Sequence, residues 1–258
     1  MMAFTVNSNQ NSGVSIFKDV MEMSAAFFDL LVEEFTTAIS EKRNYHLALS
    51  GGTTPLKIFE YLARMPLGKM KWDFLHIYWS DERCVPSSDP ESNYGNMWNT
   101  ILRYLQIPEE NIHQINGEND PLVESRRYSE VLRQNIPTSD GMPEFDLVLL
   151  GVGEDGHTAS VFPDYPELLY TDSICFPAVH PLTNQKRISF SLKLINNSKK
   201  VLFLVTGKSK ADILSKIIKR KRAYTKLPAA LVNPAKGELM WFIDRPAASK
   251  LRKRCMFF

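Results

Sequence analysis

The chain has 258 residues, of which 44% are hydrophobic, 11% aromatic and 23% charged, a balance that excludes a disordered or collagen-like chain and supplies enough apolar surface for a packed core. A net charge of +2 is too even for a dedicated nucleic-acid binder. The three cysteines, Cys84, Cys175 and Cys255, are widely spaced and form no CxxC, which argues against a disulfide framework or a zinc site and for a reducing, cytoplasmic setting.

Residues 1–10 are polar and lack the basic and apolar regions of a signal peptide. Apolar residues near helical spacing, among them Val20, Met23, Phe27, Leu30, Leu31 and Phe35, predict a helix over 19–41. A strand is predicted over 45–50, then a helix over 55–65 with Thr54 as its cap and Pro55 in its first turn. A strand over 74–79 and helices over 93–105 and 121–134 follow, with Ser92 as a cap. Strands are then predicted over 145–150, 187–192 and 200–206, a helix over 209–219 and a late strand over 239–243. No run reaches the roughly 18 apolar residues that span a bilayer.

Strands alternating with helices predict an α/β fold, three layers around a mainly parallel sheet. The runs HLALS, FLHIYWS, FDLVLLG and KVLFLVTG are almost continuously apolar, as expected of strands covered on both faces. No Pro/Gly/Ser-rich linker divides the chain; 86–90 and 137–143 read as surface loops, and 1–258 as one domain. The last four residues, Cys255-Met256-Phe257-Phe258, follow Lys250, Arg252, Lys253 and Arg254 and loosely match a prenylation box, although a basic tail ending in two aromatics is the simpler reading.

In open parallel sheets ligands bind beyond the carboxyl ends of the strands. After the first such strand comes Ser50-Gly51-Gly52-Thr53-Thr54-Pro55. Two glycines, hydroxyl donors and a helix N-terminus make a phosphate cradle, without the lysine of a Walker loop. After the second comes Ser80-Asp81-Glu82-Arg83. Alone this is a solvated loop; beside the glycine turn, Arg83 is a candidate anion holder and Asp81 a candidate partner for a sugar hydroxyl. After the strand at 145–150 comes Gly151-Val152-Gly153-Glu154-Asp155-Gly156-His157-Thr158-Ala159-Ser160. Its glycines can aim backbone donors at a developing oxyanion, His157 can act as general base, and Asp155 can orient the imidazole. After the strand at 200–206, Lys208 and Lys210 open a helix, and either can reach an anion in the first loop; Arg187 is a further clamp. His46 and His76 read as structural, and His113 and His180 as loop residues with no partner pattern. No spacing of His and Cys suits a metal. Lys219-Arg220-Lys221-Arg222 reads as a solvated helix end.

Together the segments LALSGGTTP, WSDERCVPSSDPESNYG, DLVLLGVGEDGHTASVFP, RISFSL, VLFLVTGKSKADIL and LPAALVNPAKGELMWFIDRPA resemble the 6-phosphogluconolactonases, over nearly the whole chain. That resemblance implies a Rossmann-like fold, hydrolysis of 6-phosphoglucono-δ-lactone in the pentose phosphate pathway and no metal or organic cofactor. It implies a small sugar-phosphate partner, with no nucleic acid and no membrane. It makes His157 the base that activates water, with Asp155, Arg83 and Asp81 beside it. Ser50, Gly51, Gly52, Thr53, Arg187 and Lys210 or Lys208 would surround the phosphate. The related glucosamine-6-phosphate deaminases share the glycine loop and the DGH motif but place a glutamate where this chain has Phe162, and DEY where it has Asp81-Glu82-Arg83. A non-catalytic sugar-phosphate sensor of a transcription regulator is the third reading. The 18 residues before the first predicted helix are expected to be too few for its DNA-binding segment, and the chain too short for a fused dehydrogenase.

Overall fold

The computed structural model describes residues 2–5, 12–67 and 70–251; the prenylation-like tail lies outside them. In chain order the elements are β1 (Met2–Thr5), β2 (Ser12–Phe17), α1 (Val20–Ser40), β3 (Tyr45–Leu49), α2 (Thr53–Leu62), β4 (Leu75–Trp79), β5 (Asp81–Arg83), α3 (Asn93–Thr100), β6 (Ile112–His113) and α4 (Pro121–Asn135). There follow β7 (Thr138–Ser139), β8 (Met142–Pro143), β9 (Leu147–Leu150), β10 (Cys175–Val179), β11 (Lys186–Phe190), α5 (Leu192–Ile195), β12 (Lys200–Val205), α6 (Ala211–Ile218) and β13 (Glu238–Asp244).

One eight-stranded sheet runs β1-β2-β13-β12-β9-β3-β4-β6. Only β1 is antiparallel to its neighbour; the other pairs are parallel. Every residue of β3 and β9 is buried, as their unbroken apolar runs require when helices cover both faces. Because β3, β4, β9 and β12 run the same way, the loops after Leu49, Trp79, Leu150 and Val205 emerge at one edge.

Local chemistry sets the helix ends. The Asp19 carboxylate accepts the amides of Met21 and Glu22, both at 3.0 Å, and starts α1; Asp120 does the same for α4, with Pro121 in its first turn. Such caps stabilise by about 1 kcal/mol each. Ser92 caps α3 through the Gly95 amide at 3.0 Å. Thr54, in contrast, is not the cap of α2. The cap position is Gly52, at φ 101° and without a side-chain bond, and the Thr54 hydroxyl instead meets that of Thr206 at 2.7 Å.

Other differences from the sequence reading have physical causes. The predicted helix over 93–105 stops at Thr100 and continues only as a 3-10 turn at Leu102–Tyr104. The predicted strand over 187–192 is β11, and it lies in a separate antiparallel sheet, β10-β11-β5, rather than in the central one. The charged triplet Asp81-Glu82-Arg83 is a strand, held by β11 in register Ser189 to Asp81. Strands β1, β2, β6, β7, β8 and β10 likewise have no counterpart in the sequence reading; β10 is an edge and carries Pro177, as edges tolerate. Cys84 and Cys175 are free thiols.

Candidate active site

A cleft of about 220 Å³ opens at the carboxyl edge of the sheet. Ser50, Gly51, Gly52, Thr53, Asp81, Arg83, His157, Arg187 and Lys210 are all among its lining residues, as are Asn93 and Thr206. The structure separates the two lysines: Lys210 lines the cleft and Lys208 does not. Asp155 is absent from the lining and acts through His157.

The loop after β9 is built around that histidine. His157 Nδ1 lies 2.7 Å from Asp155 Oδ1, and the same oxygen accepts the His157 amide at 3.1 Å. Burial works to raise the Asp155 carboxyl, but the hydrogen bond and charge of His157 outweigh it and hold the carboxyl below the ordinary range. An ionised Asp155 can only accept, so the hydrogen between the two belongs to Nδ1, and Nε2 is the ring nitrogen left for exchange with a ligand. The side chain of His157 is 26% exposed, enough for water to reach it. Its other flank rests on the fully buried Phe162 ring, centroids 4.9 Å apart.

Glycine is required at 153 by close approach. A Cβ there would sit 2.2 Å from His157 Nδ1 and 2.3 Å from Asp155 Oδ1. The Gly153 amide donates to the His157 carbonyl at 2.9 Å and the Gly156 amide to the Gly153 carbonyl at 3.0 Å. These two amides therefore shape the loop, which corrects the expectation that the glycines as a group face an oxyanion. Ala159 takes φ 47° in the turn closed by the Thr158–Val161 bridge, a left-handed conformation costly for a residue with a Cβ.

Asp81 is buried and ties three segments together. It accepts Ser160 Oγ at 2.7 Å, while Arg187 Nη1 stands 3.8 Å from the same Oδ2. Its carbonyl accepts Asn93 Nδ2 at 2.9 Å. Its oxygens are thus largely engaged by protein, and its contacts link β11, through Arg187, to the histidine loop, through Ser160. Neighbouring Glu82 is buried beneath the N-terminus of α3. Its carboxylate accepts the amides of Arg83 at 2.7 Å and of Asn93 and Tyr94 at 2.8 Å, and Ser92 Oγ at 3.2 Å. Burial raises its pKa, against those amides. This explains how a charged triplet becomes a strand: the helix end supplies its counter-field.

Arg83 gives Nη1 to the carbonyl of Glu91, and its buried Nε has no hydrogen-bond partner among the described residues. A buried donor without a partner costs about 1–3 kcal/mol. Arg187 is held by Gln185 Oε1, which accepts Nε at 3.2 Å and Nη2 at 3.0 Å, and its Nη1 reaches Ser160 Oγ at 3.4 Å. Burial lowers the guanidinium pKa and Asp81 opposes that.

Sequence reasoning did not identify Asn93, Ser160 or Thr206 as part of this site. Ser160 was quoted only as the end of a motif, and nothing in its spacing reveals the bond to Asp81. His180 also has partners after all: its Nδ1 accepts the amides of Leu182 at 3.3 Å and Thr183 at 3.2 Å, and its ring meets Phe162 edge-on. His113 likewise pairs with His76. His46 and His76 lie inside the sheet, away from the cleft lining, as expected.

Residues 18–241 match the family described as glucosamine-6-phosphate isomerases/6-phosphogluconolactonase. The chain is 41% identical over 224 residues to a 6-phosphogluconolactonase of Haemophilus influenzae, covering 86% of this chain and 94% of that one. It is 35% identical over 242 residues to a human 6-phosphogluconolactonase, covering 92% and 93%. The crystal structure of 6-phosphogluconolactonase from Thermotoga maritima superposes with a TM-score of 0.78 at 28% identity, covering 90% of this chain and 99% of that one.

Proposed function

The chain belongs to the glucosamine-6-phosphate isomerase/6-phosphogluconolactonase family, and from that premise we propose that it hydrolyses 6-phosphoglucono-δ-lactone to 6-phosphogluconate with His157 as general base. The observation that carries this reading is the 2.7 Å His157–Asp155 pair in a cleft also lined by the α2 N-terminus, Arg187 and Lys210. The cations and the helix end suit a phosphate dianion; the pair suits proton transfer.

In this mechanism His157 Nε2 takes a proton from water as the water oxygen bonds to C1 of the lactone. The carbonyl electrons move to oxygen and form a tetrahedral oxyanion, with Arg83 as the candidate donor to it. The C1–ring-oxygen bond then breaks, the imidazolium returns its proton to the leaving oxygen, and the open-chain acid forms. Ionised Asp155 stabilises the imidazolium between the two transfers. Such general base catalysis contributes about 10²–10⁴-fold. Phe162, packed on the His157 ring, carries no group able to transfer a second proton, which supports hydrolysis over deamination. Ser50, Gly51, Gly52 and Thr53 bind the phosphate with Arg187 and Lys210. Strands from both halves of the chain contribute to this one cleft, consistent with one functional domain working in the cytoplasm on a small-molecule substrate.

The test uses freshly generated lactone and a coupled NADP-linked dehydrogenase, with the spontaneous hydrolysis subtracted. Product formation well above background, with no ammonia from glucosamine 6-phosphate in a parallel assay, is the expected result. Ammonia release would make the protein a deaminase, and silence in both assays would leave a sugar-phosphate binder.

A further inference from the structure

The two cleft arginines face each other on the paired strands β5 and β11, and both are linked to Glu91. Gln185, just before β11, accepts two donors of the Arg187 guanidinium through its single Oε1. Its Nε2 donates to Glu91 Oε2 at 2.8 Å, across 94 positions of sequence. The carbonyl of that same Glu91 receives Arg83. Arg187 is partly buried, with a side chain 12% exposed, and the carboxylate nearest to it, Asp81, is also engaged by Ser160.

We propose that Gln185 is a positioning residue: it aims the Arg187 guanidinium into the cleft without cancelling its charge, and through Glu91 it locks that arm to the one carrying Arg83. The proposal rests on the reading that Arg187 faces the substrate phosphate. A guanidinium presents its donors in a fixed plane, so occupying the Nε and Nη2 edge fixes the direction of the rest. An amide oxygen does this as a dipole. A carboxylate would hold the same edge but neutralise the cation that has to attract a dianion, and it would bring a second negative charge to within contact of Glu91. Gln185 is thus suited by what it lacks as much as by what it bonds.

The experiment compares Gln185→Leu, Gln185→Glu and Arg187→Ala in the full chain, by kcat and KM for the lactone and by the inhibition constant of inorganic phosphate. Gln185→Leu removes all three side-chain bonds and should raise KM and the phosphate constant about 3- to 10-fold, with kcat within about twofold of wild type. Gln185→Glu should raise both more than the leucine variant, although it keeps an acceptor for Arg187. Gln185 is only half-buried, so thermal midpoints should stay within a few degrees. If Arg187→Ala raises KM while both Gln185 variants match wild type, or if the glutamate variant binds phosphate better than the leucine variant, the role given to Gln185 is overturned and the phosphate reading stands. If Arg187→Ala itself binds like wild type, the phosphate reading fails and this proposal with it. A fall in kcat as large as the rise in KM would also overturn it, because aiming an anion-binding arm does not change the chemical step.

Discussion

Histidines occupy two contrasting settings in this fold. In the loop after β9, His157 is partly open to solvent and hydrogen-bonded to a carboxylate. On the neighbouring strands β3, β4 and β6, the buried His46 and the half-buried His76 and His113 meet one another and Tyr78: His76 Nδ1 is 3.1 Å from His113 Nε2, His46 Nδ1 is 3.2 Å from the Tyr78 hydroxyl, and the Tyr78 and His113 rings stack at 4.4 Å. Burial, aided by the charge of His76, lowers His46 and His113 to about 4, so both are neutral at pH 7. One setting pairs the imidazole with a carboxylate, and the other disfavours the charged form. A histidine suits a base where it has a carboxylate partner and access to water, whereas His46, buried and bonded to the Tyr78 hydroxyl, suits only a structural part.

The largest effect expected from this contrast is at His157. His157→Ala should lower kcat by about 10²–10⁴ while leaving the fold and phosphate inhibition nearly unchanged. A loss of phosphate binding as large as the loss of rate would remove the division of labour on which the mechanism stands. Gly153→Ala is a sharper variant of the same test, since it leaves every acid, base and cation in place. Its methyl would have to displace the His157–Asp155 pair, so kcat should fall by about 10²-fold with far-UV circular dichroism unaltered. Activity within a fewfold of wild type would show that the pair's geometry does not limit the rate.

How much of this was legible in the sequence depends on where the information lies. The central strands announced themselves because burial on both faces demands unbroken apolar runs, and the cleft loops follow from their carboxyl ends. β5 did not. Asp81-Glu82-Arg83 has the composition of a loop; it pairs with β11 as a strand while Ser160 donates to the Asp81 carboxylate and the amides of the α3 N-terminus to that of Glu82. The same holds for His113, whose partner His76 is 37 positions away, and for Asn93 and Ser160. Local pattern reveals what faces a helix-covered sheet; it is silent on hydrogen bonds made across the fold.

The contrast extends from histidines to lysines, with a smaller effect. Lys208 and Lys210 are indistinguishable by type and by position on a helix start, but only Lys210 lines the cleft. Lys210→Ala should raise KM about tenfold, in the range of one charge-assisted bond, whereas Lys208→Ala should stay within about twofold. Steady-state kinetics at fixed ionic strength decides it; equal effects from the two would mean that the cleft uses a diffuse positive field rather than a placed cation.

The smallest effect, and the one that reads the buried side of the contrast, is on stability. In the unfolded chain His46 takes up a proton near its ordinary 6.5; in the folded protein it does so only near 4. The unfolded state therefore binds more protons throughout that window, and stability must fall as pH drops from 6.5 toward 4. For one histidine this amounts to about 1–2 kcal/mol between pH 7 and pH 5. His46→Gln keeps a hydrogen-bonding group for the Tyr78 hydroxyl but cannot be protonated. It should be less stable than wild type at pH 7, by about 1 kcal/mol for the altered packing and bond, and that deficit should shrink or reverse at pH 5. Urea unfolding of both proteins at the two pH values measures the change directly. Because carboxylates elsewhere titrate alike in wild type and variant, they cancel in the difference. A deficit that stays constant with pH would place His46 among the groups free to ionise in the folded state, and the contrast with His157 would then be one of location alone.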